Sequence, residues 1–470
     1  MMSERCQSKS VCVIGAGPSG LVAARELKKE GHSVVVLEQN HDVGGQWLYD
    51  PNVEGEDPLG RNTTSPPTNH NSHHVKVHSS VYTSLRLGSP REIMGFTDFP
   101  FSVKKGRDTR RFPGHRELLL YLQDFCDWFE LRDLIRFNTR VAYVGMLDHA
   151  VGFQDLKWLV KSVEKKTQIV MEEVFDSVVV ATGHYSQPRL PSIKGMDSWK
   201  RKQIHSHIYR VPDPFCDEVV VVVGTSQSGH DISMELVEVA KAVYLSARSL
   251  NNIFEGLAKV ISKHDNLHLR PQIESLQEDG KVLFVDGSWV IVDTIIYCTG
   301  YSYTFPFLDT KGIVAIDEDR VGPLFEHTFP PSLAPSLSFI GIPNKIIGFP
   351  FFESQARWIA QLLSGKRKLP SRDAMMQSIK DFYHSRDVAS IPKYQTHDIA
   401  EFEYCDKYGD YSGFPHLEEW RKKLFLFSIT NYYTNLETYR DSLDDHDFLK
   451  EALQSPHFTR QEQDTQDFPM

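Results

Sequence analysis

The chain has 470 residues, of which 40% are hydrophobic and 24% charged, a balance typical of globular proteins that argues against wholesale disorder and a membrane-embedded body. This length predicts about two to four domains and is enough to bury large cofactors. The net charge is −10, and no segment is dominated by Lys and Arg, so nucleic acid is not an expected partner, because phosphate binding needs clustered cations.

The terminal segment and the cysteines predict a soluble, cytosolic protein. Residues 1–10 are polar and lead directly into an apolar run, without the pattern of a secretory signal. No stretch approaches the roughly 20 apolar residues that cross a bilayer, so no membrane partner is expected. The six cysteines include no C-x-x-C pair, which argues against a disulfide framework and a zinc site.

The first predicted unit is a strand, a glycine turn and a helix. The apolar run Val11–Ile14 enters a G-x-G-x-x-G turn and then a helix-like segment, Leu21–Lys29. Such a turn brings a pyrophosphate against the helix N-terminus, and a following strand, Ser33–Leu37, ends at Glu38, whose carboxylate can accept hydrogen bonds from ribose hydroxyls. A glycine turn in an unrelated α/β domain is the alternative. The predicted dinucleotide contacts are Gly15, Ala16, Gly17, Pro18, Ser19, Gly20 and Glu38.

Residues 51–75 contain four prolines and read as a surface loop, a candidate lid on the substrate side. Four histidines close this loop and resemble metal ligands, but they belong to a polar, proline-rich run, so no metal is predicted. These histidines are His70, His73, His74 and His78. Next, residues 116–129 carry apolar side chains at helical spacing, which predicts a helix packed on the first domain.

A second unit of the same kind follows near the middle of the chain. The valine-rich run 218–223 enters a glycine turn in which Ser226 replaces the middle glycine, and a helix is predicted over 231–241. The strand Ala242–Ser246 is followed by Arg248 rather than an acidic residue, which favours the 2′-phosphate of NADPH over NADH, with a merely solvent-exposed arginine as the alternative. The predicted turn contacts are Gly224, Thr225, Ser226, Gln227, Ser228 and Gly229.

Two dinucleotide units in one chain indicate electron transfer from a nicotinamide to a flavin. The predicted fold class is therefore α/β, with two Rossmann-like dinucleotide-binding domains and the NADPH domain inserted in the FAD domain. Residues 1–210 and 301–470 are assigned to the FAD domain, the latter with a C-terminal cap, and 211–300 to the NADPH domain. The chain is expected to leave and re-enter the FAD domain at the small-residue segments Ala181–Gly183 and Cys298–Gly300.

Together with these turns, further blocks resemble the flavin-containing monooxygenases, in particular the plant group that includes glucosinolate S-oxygenases. The blocks are Gly44–Trp47, Met94–Phe96, Asp98–Phe101, Cys298–Tyr301, Phe305–Thr310, Arg320–Leu324, Phe339–Gly341 and Phe352–Trp358. The cofactor contacts assigned on these blocks are Gly45, Gln46, Trp47, Thr299, Gly300 and Gln355.

Two positions depart from the family pattern. The family motif F-x-G-x-x-x-H-x-x-x-Y/F aligns with Trp199, Arg201, His205 and Tyr209, so an arginine stands where glycine is expected. That exchange puts the local turn in doubt, because glycine often marks a φ that arginine adopts only at a cost. In similar sequences an asparagine lies beside flavin and substrate, at the position that Gly88 occupies here. We assign this position to the catalytic centre, without a side-chain catalyst.

The resemblance implies that NADPH reduces FAD and that O2 supplies an oxygen atom to a soft nucleophile. A thioether such as the methylthioalkyl chain of a glucosinolate is the favoured substrate, giving a sulfoxide, and amines remain open. Gly88 and Arg201 leave two alternatives, an uncoupled NADPH oxidase and a degenerate FAD-binding protein. A flavin disulfide reductase is disfavoured because no close cysteine pair exists. A homodimer is left open.

Overall fold

The computed structural model describes residues 8–61, 77–147, 156–251, 253–442 and 444–459. The helices of this part of the chain are α1 Pro18–Lys29, α2 Arg91–Met94, α3 His115–Trp128, α4 Gln227–Leu236, α5 Glu255–Lys263, α6 Gly348–Leu363, α7 Arg372–Val388, α8 Phe402–Ser412, α9 Glu419–Thr434 and α10 His446–Leu453. The predicted helix over 116–129 is confirmed as α3, one residue earlier at each end.

The strands of the described residues are short, and many are rich in valine and isoleucine. In chain order they are β1 Ser10–Ile14, β2 Ser33–Leu37, β3 Ile135–Arg136, β4 Thr139–Met146, β5 Trp158–Glu164, β6 Val170–Phe175, β7 Ser177–Val180, β8 Gln187–Pro188, β9 Lys202–His205, β10 Val219–Val223, β11 Ala242–Ser246, β12 Leu267–Arg270, β13 Ile273–Leu276, β14 Lys281–Phe284, β15 Trp289–Ile291, β16 Thr294–Tyr297, β17 Tyr301–Ser302, β18 Leu308–Asp309, β19 Ala315–Asp317, β20 Arg320–Gly322 and β21 Leu337–Phe339.

Two five-stranded parallel sheets organise the molecule. The first has the order β21-β7-β1-β2-β3 and the second the order β12-β11-β10-β16-β9. Strands β7 and β16, which flank the two glycine-turn strands, are buried along their whole length. This burial explains why these strands are continuous apolar runs rather than alternating ones. The predicted α/β fold with two Rossmann-like units is confirmed.

The second unit differs from its predicted bounds at two places. The helix starts at Gln227, within the glycine turn, as α1 starts at Pro18 within the first one. It ends at Leu236, so the predicted span 231–241 is wrong at both ends. Strand β9, Lys202–His205, pairs in parallel with β16 and lies before residue 211, the expected start of the NADPH domain. The domain division stays a proposal, and this pairing favours an earlier start for the inserted part.

The two chain crossings between the sheets lie side by side. Strand β8 pairs with β17 in antiparallel fashion, and the amide of Arg189 donates to the carbonyl of Gly300 at 2.9 Å. The predicted re-entry segment Cys298–Gly300 is therefore bonded to Arg189, a few residues after the predicted exit segment Ala181–Gly183.

The C-terminal region contributes to both units. Tyr408 of α8 and Ile379 of α7 are buried in the core of the first sheet, together with residues of α6. Leu436, which follows α9, is buried in the core of the second sheet, and Lys259 Nζ of α5 donates to the carbonyl of Thr434 at 3.0 Å. The last third of the chain thus packs across the junction of the two units.

A buried histidine pair fixes the β19–β20 hairpin to the segment before α8. The amide of Val321 donates to His397 Nε2 at 2.9 Å, so the proton of this ring must sit on Nδ1. His397 Nδ1 therefore donates to His327 Nδ1, at 2.8 Å. Desolvation lowers the pKa of His327 to about 3 and that of His397 well below its usual value.

We expect the free energy of unfolding to fall as the pH is lowered below about 6.5. The histidines then bind protons in the unfolded chain, whereas the buried rings stay neutral in the folded chain. One histidine with the pKa of His327 accounts for about 2 kcal/mol between pH 7 and pH 5. His327→Gln, measured by denaturant unfolding at both values, should reduce the loss by about this amount. The control is His416→Gln on the exposed surface. An unchanged pH dependence in His327→Gln would contradict the assignment.

Candidate cofactor site

A cleft opens at the carboxyl ends of β1 and β2, where parallel sheets of this kind bind their ligands. Its cavity volume is about 990 Å³, at the upper end of the roughly 300–1,000 Å³ typical of ligand pockets. Ile14 and Leu37, the last residues of the two strands, line the cleft together with the glycine turn between them. An elongated dinucleotide fits a cleft of this size and position.

The first glycine turn admits no side chain at two of its glycines, Gly15 before α1 and Gly20 within it. Gly15 has φ +103°, and a Cβ placed on it would lie 2.6 Å from the carbonyl oxygen of Ala181. A Cβ on Gly20 would lie 1.8 Å from the carbonyl oxygen of Gly15. The helix therefore starts as close to the strand as backbones allow, and its first amides face the cleft.

Glu38 holds a carboxylate at the wall of the cleft. Its Oε2 accepts from the amide of Ala16 at 2.7 Å and its Oε1 from the amide of Asn40 at 2.8 Å, and the residue is only 3% exposed. Burial raises the pKa of Glu38, while these two amide donors act in the opposite direction. A carboxylate has about four acceptor positions, so capacity remains for the hydroxyls of a ribose. The residues present thus fit an adenine dinucleotide.

The first group of predicted contacts divides into residues that line the cleft and residues that support it. Those lining it are Gly15, Gly17, Pro18, Ser19, Glu38, Gly45 and Gln46. Ala16 and Gly20 support the turn through the contacts above. Trp47 is half-buried against the hydrophobic core of the first sheet. Gln355 is fully buried, and its Oε1 accepts from the amide of Gly341 at 3.1 Å. Since Gly341 lines the cleft, Gln355 positions its wall.

Sequence reasoning missed the opposite wall of the cleft. That wall includes residues 139–142 of β4, residues 183–187, Ser302, Thr304, Phe307 and Phe352. His184 Nδ1 lies 2.9 Å from the carbonyl oxygen of Gly341, and burial lowers the pKa of His184. The segment Ala181–Gly183, which the sequence predicts only as a crossing point, also lines the cleft. The residues of β4 and of the 302–307 segment carry no local signal, because only folding brings them here.

The second turn repeats the geometry of the first. Gly224 has φ +116°, and a Cβ on it would lie 2.4 Å from the carbonyl oxygen of Cys298. A Cβ on Gly229 would lie 1.9 Å from the carbonyl oxygen of Gly224. Ser226, which replaces the middle glycine, has extended backbone angles that any residue adopts. The turn is therefore intact. Its four middle residues are exposed, namely Thr225, Ser226, Gln227 and Ser228.

Arg248 lies past the end of β11, where the sequence places it, and contacts an aromatic ring. Its Nη1 donates to Tyr394 Oη at 2.9 Å, and its Cζ lies 5.8 Å from the centre of that ring. Arg189 Cζ lies 5.0 Å from the same centre. Thr299 Oγ1 donates to the carbonyl oxygen of Arg189, whose amide is bonded to Gly300. Thr299 and Gly300 thus hold Arg189, which contacts the same tyrosine ring as Arg248, and neither of the two residues lines the cleft.

Arg201 occupies its position without backbone strain, since its φ is not in the left-handed region. Its Nη1 donates to the carbonyl oxygen of Val292, and its Nη2 to that of Asp279, both at 2.9 Å. These bonds tie the residue before β9 to the turn between β13 and β14 and to the residue after β15. The doubt that arginine raises about this turn is therefore removed, and the family motif is a packing motif here, with Trp199, His205 and Tyr209 buried.

Among the residues that the structure describes, no three His, Cys, Asp or Glu side chains are grouped to hold a metal ion. Three of the four clustered histidines, His70, His73 and His74, lie outside the described residues, as does most of the predicted lid. Cysteines 12, 126, 216, 298 and 405 are free. None of the described helices is long and apolar enough to cross a membrane.

Comparison with known proteins gives two family matches. Residues 68–265 and 259–414 match the family described as flavin-binding monooxygenase-like, and residues 13–77 match an NAD(P)-binding Rossmann-like domain. Flavin-containing monooxygenase FMO GS-OX-like 9 of Arabidopsis thaliana is 69% identical over 457 residues, which cover 97% of this chain and 98% of that protein. The structure of an S-allyl-L-cysteine S-oxygenase from Allium sativum has 42% identity and a TM-score of 0.89, covering 97% of this chain and 100% of that one.

The two turns offer a reciprocal pair of variants, Gly20→Ala and Gly229→Ala. Each places a methyl group within 2 Å of a backbone oxygen and must move the helix N-terminus away from its ligand. Such overpacking costs about 1–3 kcal/mol, so we expect the matching cofactor to bind about 5- to 150-fold more weakly. Gly20→Ala should lose flavin absorbance on purification. Gly229→Ala should keep it and bind NADP⁺ weakly by calorimetry. The same loss of both cofactors in both variants would contradict the assignment of one turn to each.

Proposed function

Because the chain belongs to the flavin-binding monooxygenase-like family, we propose that it is an NADPH- and O2-dependent S-oxygenase of thioethers. Family membership confirms the prediction of a flavin-dependent oxidoreductase that uses FAD and a nicotinamide dinucleotide. The use of NADPH, the use of O2 and the thioether substrate are our proposals. The observation that carries the choice of cofactors is the pair of matched glycine turns. One lies on the cleft with Glu38; the other is exposed, and the amide of Gly224 donates to the carbonyl of Ser246, two residues before Arg248.

The proposed reaction converts a thioether, O2, NADPH and a proton into a sulfoxide, NADP⁺ and water. One oxygen atom goes to sulfur and the other to water, and the two electrons of the hydride balance the reduction. FAD, when bound, supplies the redox chemistry that carries these electrons from NADPH to O2. The sulfur is itself a soft nucleophile, so no acid or base side chain of the protein is needed to activate the substrate.

The protein's own groups bind and orient under this proposal. The amides at the start of α1 and the carboxylate of Glu38 would hold the pyrophosphate and ribose of FAD. The amides at the start of α4 would hold the pyrophosphate of NADPH, and Arg248 with Tyr394 would lie at its 2′-phosphate. The wall around His184 and Phe352 would keep water from the flavin.

The substrate class is supported by the names of relatives. One is described as GS-OX-like and the other as an S-allyl-L-cysteine S-oxygenase, and both are aligned over nearly the whole chain. We therefore favour a methylthioalkyl side chain, as in glucosinolates, over an amine. A cytosolic location stays a prediction.

The test of function is turnover of the FAD-loaded protein with NADPH and ¹⁸O2. Methylthioalkyl glucosinolate, S-allyl-L-cysteine and trimethylamine would be compared as acceptors, and labelled product, NADPH loss and hydrogen peroxide measured. We expect about one labelled sulfoxide per NADPH with a thioether. N-oxide alone would move the substrate class to amines. Peroxide equal to NADPH without labelled product would identify an oxidase, and failure to retain FAD a degenerate protein.

The cofactor choice is tested by Arg248→Gln. Loss of a charge-assisted hydrogen bond costs about 1.5–3 kcal/mol, so we expect the dissociation constant of NADPH to rise about 10- to 100-fold. That of NADH, which has no 2′-phosphate, should change less than about threefold. Equal weakening of both nucleotides would show that Arg248 does not contact the 2′-phosphate.

A further inference from the structure

The space beside Gly88 is occupied by a side chain from the second glycine turn. A Cβ placed on Gly88 would lie 2.1 Å from Gln227 Nε2 and 2.8 Å from both Gln227 Cδ and Oε1. The φ of Gly88 is not in the left-handed region, so the backbone conformation does not itself demand glycine. The carboxamide of Gln227, the end of a flexible side chain, therefore fills the space that a side chain at position 88 would need and would have to shift to admit one.

The contact between these residues is held by a network that joins three segments. Arg440 Nη1 and Nη2 donate to the carboxylate of Asp231 in α4 at 3.1 and 2.7 Å, and its Nε donates to the carbonyl oxygen of Leu87 at 3.1 Å. Tyr82 Oη donates to the same carboxylate at 3.2 Å. Residues 82–88 are thereby fixed to the helix that Gln227 begins.

The carboxamide of Gln227 retains hydrogen-bonding capacity. Among the described residues its side chain makes one hydrogen bond, from Nε2 to Tyr439 Oη, and that bond is long, at 3.5 Å. Gln227 is exposed on the turn assigned to the nicotinamide dinucleotide, while Tyr439 behind it is 1% exposed. An amide has two donor hydrogens and two acceptor lone pairs, so most of this capacity is open to a ligand.

We infer that the Gln227 carboxamide supplies, from the NADP(H)-binding turn, the side-chain amide that position 88 lacks. It positions the bound nicotinamide dinucleotide beside the flavin, and this role rests on the proposed function. An amide side chain at position 88 and the present Gln227 side chain would compete for the same volume. Glycine at 88 and glutamine at 227 therefore belong together, with the amide carried at 227 instead of at 88. Gln227 is a positioning residue, because its effect on oxygen transfer passes through the dinucleotide.

The test is an amide exchange in the FAD-loaded protein. Gln227→Met keeps the length of the side chain and removes the amide, Gln227→Ala removes both, and Gly88→Asn with Gln227→Ala returns an amide from the other segment. NADP⁺ dissociation constants are measured by calorimetry on the oxidised protein. Peroxide released per NADPH is measured during turnover with a thioether.

We expect Gln227→Met and Gln227→Ala each to weaken NADP⁺ binding about tenfold and to raise the share of NADPH lost as peroxide. The NADP⁺ dissociation constant of the double variant should return to within about threefold of the wild-type value. Gly88→Asn alone should bind NADP⁺ more weakly, because its side chain crowds Gln227. Wild-type NADP⁺ affinity in Gln227→Met would overturn the proposal and leave Gln227 a space-filling residue. So would a folded, FAD-loaded double variant no better than Gln227→Ala.

The NADP⁺ measurement needs no turnover, so it separates this proposal from the proposed function. Weak NADP⁺ binding in Gln227→Met together with a wild-type protein that oxygenates nothing would keep the role of Gln227 and reject the S-oxygenase. Normal NADP⁺ binding in Gln227→Met together with efficient sulfoxide formation by the wild type would do the reverse. If the double variant does not retain FAD, Gln227→Met decides alone.

Discussion

The closest approach of helix to strand at two glycines is the constraint on which the remainder of the site depends. A methyl group at Gly20 or Gly229 would meet a backbone oxygen at 1.8 or 1.9 Å. This contact lets the first amides of α1 and α4 converge on a ligand at the carboxyl ends of their strands. Strands β7 and β16, beside the two glycine-turn strands, supply a rigid base for it, because they are buried along their whole length.

A second constraint is the buried ion pair that joins the end of the chain to the second unit. The carboxylate of Asp231 is 9% exposed and the guanidinium of Arg440 12%. Removing one partner of such a pair costs about 3–5 kcal/mol, because the other charge stays buried and unpaired. Since Arg440 also bonds the carbonyl of Leu87, the pair fixes the geometry between residues 82–88 and α4. The contact of Gly88 with Gln227 depends on it.

Sequence reasoning predicted what local patterns encode. The apolar runs, the glycine turns, Glu38 at a strand end and the strand before Arg248 all lie where the sequence places them. It failed where the answer depends on tertiary pairing. Nothing near Lys202–His205 indicates that this strand belongs to the second sheet, and nothing near Arg248 points to Tyr394, which lies about 150 residues away.

The two departures from the family pattern illustrate the same limit. Arg201 and Gly88 looked like defects because a motif compares one position at a time. In the folded chain Arg201 bonds the carbonyl of Val292, and the space at Gly88 is taken by Gln227. Each departure has its partner on a segment distant in sequence, which a motif does not contain.

The order of strands in the first sheet has a consequence for synthesis on the ribosome. Four of its strands are complete by residue 180, but the edge strand β21, Leu337–Phe339, pairs with β7 and is made last. The second sheet draws every strand from residues 202–297 and can therefore close first. Until residue 339 has emerged, the nascent chain carries one finished sheet beside another whose β7 edge is open, and open parallel edges are the surfaces on which nascent chains aggregate.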